Sequence, residues 1–450
     1  MNTQRMWWIA GVALVMAGGT ALAQQPQPVT FAQAIDIALK QNLTIKQAEY
    51  NLIVQQATAD QAPKNLLPNL QVSLSGGSSV GQQFNQNVGK LLTQTTQSLS
   101  PGLSANMVLY NGNQTYANIA SARDLTRADA ADLMRTRQTA VFNVASDFVA
   151  LVNAQSQLGV QKENLASSQV QLDQIQQFAN AGARPVSDLY QQRATVASAQ
   201  LAVVQAEQQV DLSKINLISA LQLDPAKEYE FVVPVIPDAA STRAFSLDSL
   251  VAVAYARRPD IIADQARVLA AAQDMRAARG GRLPTVSANF SYNSAYTSAS
   301  DSGLFNQFNS RRLGSVSLGV SLPIFDRGTT HLAQERAVVE VENAKLALIT
   351  QQQSVALDVR RALLNVRSAQ QQLVAASAQQ LAAQQALDAV QQRYNVGAAT
   401  LIEITQARSQ LVNAESAMFT AKYTLVLNQA VLAYYTGELD PANIKLGVGG

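Results

Sequence analysis

The sequence has no cysteine and only one histidine among its 450 residues. The lack of cysteine excludes disulfides, thiolate metal sites, thiol nucleophiles and a lipid anchor attached through a cysteine, and a single histidine excludes a two-histidine zinc motif. Nucleotide-binding, dinucleotide-binding and serine-hydrolase fingerprints are also missing from the sequence. The sequence therefore predicts no enzymatic activity, no cofactor and no bound metal.

Charge is scarce, because charged residues make up 14% of the chain against the roughly 25% usual for soluble proteins. The net charge of +2 offers no strong attraction for nucleic acid, so no nucleic-acid partner is expected. Hydrophobic residues reach 48%, which argues against disorder. Beyond the N-terminus no apolar run reaches 18 residues, so no transmembrane helix is predicted.

The N-terminus has the pattern of a secretory signal peptide. Arg5 precedes an apolar run from Trp7 to Ala17, and Ala21-Leu22-Ala23 fits a small-residue cleavage site. The run of about 11 apolar residues is too short to span a bilayer. We therefore expect residues 1–23 to be removed and the mature chain to begin at Gln24.

The sequence repeats once, with a period of about 215 residues. Four short motifs recur in one order: Leu67-Pro68 with Leu283-Pro284, Tyr110-Asn111-Gly112 with Phe325-Asp326-Arg327-Gly328, Asn180-Ala181-Gly182-Ala183 with Asn395-Val396-Gly397-Ala398, and Leu223-Asp224-Pro225-Ala226 with Leu439-Asp440-Pro441-Ala442. This period is far longer than that of solenoid repeats and indicates duplication of a whole unit. The predicted division is a first repeat over 24–226, a Pro-rich linker over 227–243, a second repeat over 244–441 and a tail over 442–450.

Each repeat is expected to contain a helical stretch, a pair of strands and a long helical hairpin. The helical stretches are predicted at about 30–62 and 246–279, the strand pairs at about 67–110 and 283–325, and the hairpins at about 113–223 and 329–437.

The hairpins contain about 68 residues without proline over 114–181 and again over 329–396. Apolar and small residues recur there in alternating steps of 4 and 3, which is the 3.5-residue repeat of a coiled coil. The predicted inward positions are Ala140, Val144, Asp147, Leu151, Ala154, Leu158, Gln161, Leu165, Ser168, Leu172, Ile175 and Ala179 in the first repeat, and Val355, Val359, Ala362, Val366, Ala369, Leu373, Ala376, Gln380, Ala383, Leu387, Val390 and Tyr394 in the second. The return helices continue the pattern at Val196, Ala199, Val203, Ala206 and Val210, and at Leu411, Ala414, Met418, Ala421 and Leu425. A helix of this length is a rod of about 100 Å, which cannot belong to a compact globule.

Four segments of about ten residues alternate between apolar and polar side chains. Their apolar positions are Leu70, Val72 and Leu74; Leu103, Ala105, Met107 and Leu109; Val286, Ala288, Phe290 and Tyr292; and Val316, Leu318, Val320 and Leu322. Polar stretches at 76–98 and 294–312 predict one loop of about 20 residues within each pair. The pattern fits strands of an outer-membrane barrel and also a half-buried sheet of a soluble protein; the signal peptide favours the barrel.

Four strands cannot close a barrel, since eight is the practical minimum, and a sheet in lipid cannot keep open edges. Several copies would therefore have to share one barrel. Two copies supply 8 strands and three supply 12, and only the larger barrel can hold a channel.

The duplicated order of helix, Leu-Pro, strand pair, Gly turn and long hairpin resembles the TolC family of outer-membrane efflux proteins. The resemblance covers the mature chain and rests on Leu67-Pro68, Leu283-Pro284, Pro323-Ile324-Phe325-Asp326-Arg327-Gly328 and Arg393-Tyr394-Asn395-Val396-Gly397. It implies a mostly α-helical homotrimer, with a 12-stranded barrel in outer-membrane lipid and a helical tunnel through the periplasm. The implied partners are a periplasmic adaptor and an inner-membrane transporter of RND, ABC or MFS type. The implied function is a passive, gated exit duct for efflux or type I secretion.

The resemblance also implies positions at the periplasmic entrance. The gate candidates are Asp188, Glu403, Tyr394 and Gln406, and the adaptor-contact candidates are Gly182, Ala183, Arg184, Val396, Gly397 and Ala398. Some family members have an arginine at the place of Ala399 and an aspartate at the place of Gln406, so that gate is at best partly kept here. Three copies of Asp188 and Glu403 would form carboxylate rings that favour cations.

Ordinary structural roles explain several of these residues equally well. Thr400 and Glu403 have the spacing of a capping box, and Asp188 follows Pro185 as at a normal helix start. Tyr394 continues the heptad and could be a core residue, and His331 is expected at the surface. The alternative functions are a periplasmic coiled-coil adaptor, which would need one hairpin flanked by β-rich domains, and a structural filament protein, which the signal peptide disfavours.

Overall fold

The computed structural model describes residues 27–85, 88–232 and 246–438. The predicted signal peptide, the Pro-rich join at 233–237, the repeated motif at 439–442 and the C-terminal tail lie outside the described residues.

The described part of the chain contains two similar successions of elements. The first consists of β1 (Gln27–Thr30), α1 (Phe31–Gln41), α2 (Leu43–Gln61), a 3₁₀ helix (Ala62–Leu66), β2 (Asn69–Asn85), β3 (Lys90–Asn111), α3 (Gln114–Asn180) and α4 (Val186–Ala220). The second consists of β4 (Tyr229–Val232), α5 (Leu247–Arg257), α6 (Pro259–Gly280), β5 (Thr285–Asn293), β6 (Tyr296–Thr297), α7 (Leu304–Ser310), β7 (Leu313–Ser321), α8 (Thr329–Asn395) and α9 (Leu401–Thr436).

The helical stretch at the start of each repeat is divided into two helices, α1 and α2 in the first repeat and α5 and α6 in the second. The sequence analysis did not predict this division. Asn42 is extended between α1 and α2, and its side-chain oxygen accepts hydrogen bonds from the backbone N–H groups of Thr44 and Ile45. Arg258 is extended between α5 and α6 because Pro259 disfavours a helical conformation in the residue before it. An N-cap and a proline therefore end helices at equivalent places in the two repeats.

The long helices α3 and α8 have 67 residues each, and each packs against its return helix, α4 or α9. All the predicted inward positions are buried or half-buried, so the heptad prediction is confirmed. Helices α3 and α9 also contact each other, which joins the two hairpins into one bundle. In the described part of the chain, no helix is both long and apolar enough to cross a membrane.

Strands β2, β3, β5 and β7 form an antiparallel sheet in that order, with the short β6 paired to β3. The register aligns Leu70, Ala105, Phe290 and Val316 in one row, and the next row holds Gln71, Ser104, Ser291 and Ser315. The apolar rows lie on one face, where Leu70 is 67% and Val316 77% exposed. Polar pairs such as Ser291 with Ser315, whose hydroxyl oxygens are 2.8 Å apart, lie on the other.

The predicted loop at 76–98 is wrong, because β2 and β3 continue through it. Their ladder runs from Asn69↔Asn106 to Asn85↔Lys90, since backbone pairing does not require apolar side chains. The second stretch, 294–312, holds β6 and α7 as well as loop. There the amide of the buried Gln307 bonds both backbone groups of Thr297 and the carbonyl of Ser302.

Four residues of the predicted linker form β4, which pairs in parallel with β1. The pair covers the flank of α3, where Phe148 is fully buried and meets Phe31 and Phe231 edge-on at ring distances of 5.2 and 6.3 Å. The segment 227–243 is therefore partly structured by pairing with the start of the chain.

A polar network ties α3, α6, α8 and α9 together. The carboxylate of Asp260 accepts hydrogen bonds from Arg258 and from the amide of Gln351 at 2.8 Å. The guanidinium of Arg135 lies 3.9 Å from the centre of the Tyr434 ring. Burial acts to raise the pKa of Asp260, but the hydrogen bonds and charge of Arg258 hold it below its usual range. The network is satisfied within the chain and fixes where the helices cross.

The sheet meets the helices at a close backbone contact between Gly112 and Gly280. A Cβ atom on Gly112 would collide with the backbone of Gly280, and Gly112 has a φ of 69°.

We expect Gly112→Ala to lower the free energy of unfolding by about 2–4 kcal/mol, through overpacking and left-handed strain. Thermal unfolding of the purified protein in detergent measures the effect.

The matched control is Gly159→Ala in α3, where an added Cβ meets open space. That variant should gain about 0.5–1 kcal/mol, because alanine loses less backbone entropy than glycine in a helix. Equal stability of the two variants would contradict the importance of the Gly112 contact.

Candidate functional site

The ends of the two long hairpins are built in the same way. Helix α3 ends before Gly182, with a φ of 70°, and α8 ends before Gly397, with a φ of 79°. The backbone N–H of Ala183 donates to the carbonyl of Phe178 at 2.9 Å, and that of Ala398 donates to Arg393 at 2.7 Å. These are the bonds of a Schellman motif, which places a glycine in the left-handed conformation.

The two hairpin ends are held together by a small apolar cluster, which we call the entrance cluster. Its buried members come from α3, α4, α8, α9 and the second turn: Ile175, Leu189, Tyr394, Ala399, Leu401 and Ile404. Tyr394 is 5% exposed, and its hydroxyl finds no hydrogen-bond partner among the described residues. Ala399, where some relatives were expected to have arginine, is a packed member of this cluster.

Arg184 contacts two other predicted site residues, Tyr394 and Asp188. Its guanidinium lies 4.3 Å from the centre of the Tyr394 ring, and its Nη1 lies 3.8 Å from the Asp188 carboxylate. The first turn thus supplies a cation to the tyrosine of the second hairpin. The sequence analysis assigned Arg184 only to the tip surface. Its spacing of four residues from Asp188 was the available signal for the ion pair, and nothing local pointed to Tyr394.

Glu403 has two sets of partners. One carboxylate oxygen accepts from the backbone N–H and hydroxyl of Thr400, both at 3.1 Å, which completes the capping box. The other lies 3.3 Å from the guanidinium of Arg393, a residue that sequence reasoning did not select. Hydrogen bonds from the Thr400 backbone and hydroxyl, aided by the charge of Arg393, lower the pKa of Glu403. The helix-capping interpretation of Glu403 is therefore correct.

The other predicted positions lie at or near the tips. Asp188 is in the first turn of α4, and Gln406 is exposed on α9 outside the entrance cluster. Val396 is 80% exposed, and Gly182, Ala183, Gly397 and Ala398 are also exposed at the two turns. With Phe178, Val186 and Ile402, also exposed, the hairpin ends present apolar side chains to their surroundings.

Comparisons with known proteins agree with this architecture. The family model for the outer membrane efflux protein matches residues 34–222 and again 250–438. The pyoverdine export outer membrane protein OpmQ of Pseudomonas putida is 26% identical over 90% of this chain and 84% of its own length. The outer membrane protein TolC of Escherichia coli is 24% identical over 86% of this chain and 77% of its own length.

A solved structure of CusC has the same fold. It superimposes with a TM-score of 0.78 at 21% identity and covers 90% of this chain and 92% of its own. Together with the two matches of the family model, these similarities confirm the resemblance drawn from the sequence motifs. The chain belongs to the outer membrane efflux protein family and is an outer-membrane protein that extends into the periplasm.

Proposed function

We propose that this protein is the exit duct of a multi-component efflux or type I secretion system. The observation that supports this proposal is the sheet, whose series of four strands β2, β3, β5 and β7 has one apolar exposed face and ends in β2 and β7. Backbone groups at an open edge cannot be left unpaired in lipid, and four strands are too few to close a barrel. Three copies supply 12 strands, enough for a barrel with a channel.

The strand directions support this closure. Neighbouring strands are antiparallel throughout the series β2, β3, β5 and β7, so β2 and β7 run in opposite directions. A β7 strand placed beside β2 of the next copy is then also antiparallel, and the ring closes without a parallel step. Cyclic symmetry of this kind is usual for homo-oligomers.

The helices supply the second part of the proposed duct. Rods of about 100 Å that continue from the sheet can carry a tunnel through the periplasm to the hairpin ends. A periplasmic adaptor and an inner-membrane transporter of RND, ABC or MFS type would meet those ends, and the transporter would supply the energy. The relatives are named for export and as outer-membrane proteins, which supports a non-enzymatic transport role. Removal of residues 1–23 belongs to the same proposal.

The alternatives are less well supported. An adaptor or a filament protein has no need for a sheet with an apolar exposed face such as that of Leu70 and Val316. We therefore retain the duct as the proposed function.

In this proposal the entrance cluster keeps the duct closed. Tyr394 is packed between the hairpin ends, and Arg184 holds its ring from the neighbouring turn. Arg393 and Glu403 pair within the second hairpin. Some family members have an arginine at the place of Ala399; in this proposal Arg184, on the other hairpin, supplies the cation instead.

The first test concerns assembly. Purified from outer membranes in detergent, the protein should migrate on gels as a trimer that heating converts to a monomer, because shared strands must separate. A soluble monomer that needs no detergent would rule out the duct.

The second test concerns the aromatic contact. We expect Arg184→Gln to raise the open fraction of single channels about fivefold, because a cation–π contact contributes about 1 kcal/mol. Tyr394→Ala should raise it at least as much. Tyr394→Phe is the matched control and should behave as wild type, since the hydroxyl has no hydrogen-bond partner among the described residues. An open fraction that is equal in all three variants would contradict the closure.

The third test concerns the carboxylates. We expect Asp188→Asn combined with Glu403→Gln to weaken block of single-channel current by Mg²⁺, because two rings of three charges disappear. Glutamine retains the capping geometry at position 403. Asp211→Asn removes a charge from the exposed part of α4 and should leave the block unchanged. Unaltered block in the double variant would remove both residues from the gate.

A further inference from the structure

A polar cavity of about 270 Å³ lies between α3, α4 and α9, next to the entrance cluster. Ile404 belongs to the entrance cluster and also lines this cavity. The lining is rich in amides and hydroxyls, including Asn164, Ser168, Gln171, Gln192, Thr195 and Arg408. Arg408 is the charged member of the lining, and no acidic residue is among the lining residues.

Two buried donors beside the cavity lack hydrogen-bond partners among the residues that the structure describes. Ser168 is 1% and Gln171 4% exposed, and neither the Ser168 hydroxyl nor the Gln171 amide nitrogen has a hydrogen bond in the described chain. Gln192 is equally buried, but its amide donates to the Ser168 carbonyl at 2.9 Å. A buried donor without an acceptor is costly and calls for an ion, a ligand or water.

Arg408 brings a positive charge to the lining of the cavity. Its guanidinium donates to the backbone carbonyl of Ser167 at 3.3 Å, and it forms no ion pair with a carboxylate in residues 27–85, 88–232 and 246–438. Burial lowers the pKa of Arg408. Glu163 and Glu415 lie near each other farther along the same helices, where burial and mutual repulsion raise the pKa of Glu415, but neither lines the cavity.

We propose that this cavity binds a small oxyanion such as inorganic phosphate. A guanidinium gives charge-assisted, forked hydrogen bonds to an oxyanion. The Gln171 amide nitrogen and the Ser168 hydroxyl lie just behind the lining, and rotation of either side chain toward the anion would supply an acceptor that it lacks among the described residues. The volume is sufficient for an oxyanion and a few waters.

The bound anion would link the two hairpins. Arg408 belongs to α9, whereas Ser168 and Gln171 belong to α3, so the anion would bridge elements that must move apart if the entrance opens. Binding would then favour the closed arrangement, by the reciprocity between ligand affinity and conformational state. This consequence rests on the proposed function; the binding itself does not.

Calorimetric titration of inorganic phosphate into the purified full-length protein in detergent, at constant ionic strength, tests the site. We expect saturable binding by the wild type and a 10- to 100-fold weaker affinity for Arg408→Gln, from the loss of a charged hydrogen bond. Arg193→Gln is the matched control. Arg193 lies on α4, bonds Gln176 and does not line the cavity, so its loss should leave the affinity unchanged.

Gln171→Leu provides a second variant with a distinctive signature. It should bind phosphate about fivefold more weakly, yet melt at a higher temperature than wild type without phosphate, because an unpaired amide has been removed. No saturable binding by the wild type, or equal affinities for Arg408→Gln and Arg193→Gln, would overturn the proposal. A conducting channel that binds no phosphate would refute this site alone, and a phosphate-binding protein that forms no channel would refute the duct alone.

Discussion

The structure depends on the narrow apolar seam that runs along its long helices. A helix of 67 residues gains little from its own backbone in water and is stabilised by packing one face against neighbours. The seam consists largely of Val and Ala, such as Val359, Ala362 and Ala369, all buried, and small side chains let the helices approach closely. Because the seam takes only two positions in seven, the other faces are free to be Gln, Ser, Asn and Ala. The low charge of the chain therefore reflects the uncharged polar residues that occupy much of these other faces.

The sheet forms an apolar face from relatively few apolar residues. Apolar side chains occupy every second position, so each strand has an apolar face without any long apolar run. Leu70, Val72 and Leu74 share one face of β2 and are all exposed, whereas Gln71 and Ser73 lie opposite. Alternation of this kind is invisible to a search for hydrophobic spans. A chain that is about half hydrophobic can therefore belong to an outer-membrane protein although none of its described helices crosses a membrane.

Much of this architecture was predictable because its causes are local. The heptad, the period-two alternation and the turn glycines Gly182 and Gly397 are patterns within one segment. The structure has the heptad and the glycines where the sequence predicted them, and most of the alternating positions lie in strands, except that Leu322 follows the end of β7 and the pairing of β3 with β5 shifts register at Leu109. The wrong or missing predictions concern features that depend on contacts between segments distant in the sequence or on backbone pairing. The ladder between β2 and β3 extends through polar residues because strands pair through their backbones. Strand β4 exists because a distant segment, β1, pairs with it. The contact of Arg184 with Tyr394 joins residues 210 positions apart in the sequence, and no local pattern encodes it.

In the proposed duct, closure and charge selection would be properties of the same few side chains. Each carboxylate at the entrance already has an arginine beside it, Asp188 with Arg184 and Glu403 with Arg393. While these pairs are intact, the arginines neutralise much of the negative charge that would attract a cation. Each ion pair lies within one hairpin, but Arg184 also contacts Tyr394 on the other hairpin, so separation of the hairpins would break that contact. The Asp188 pair would therefore be the one coupled to opening, whereas Glu403 caps the start of α9. The two carboxylates, equivalent by repeat symmetry, would thus have different physical roles in the proposed duct.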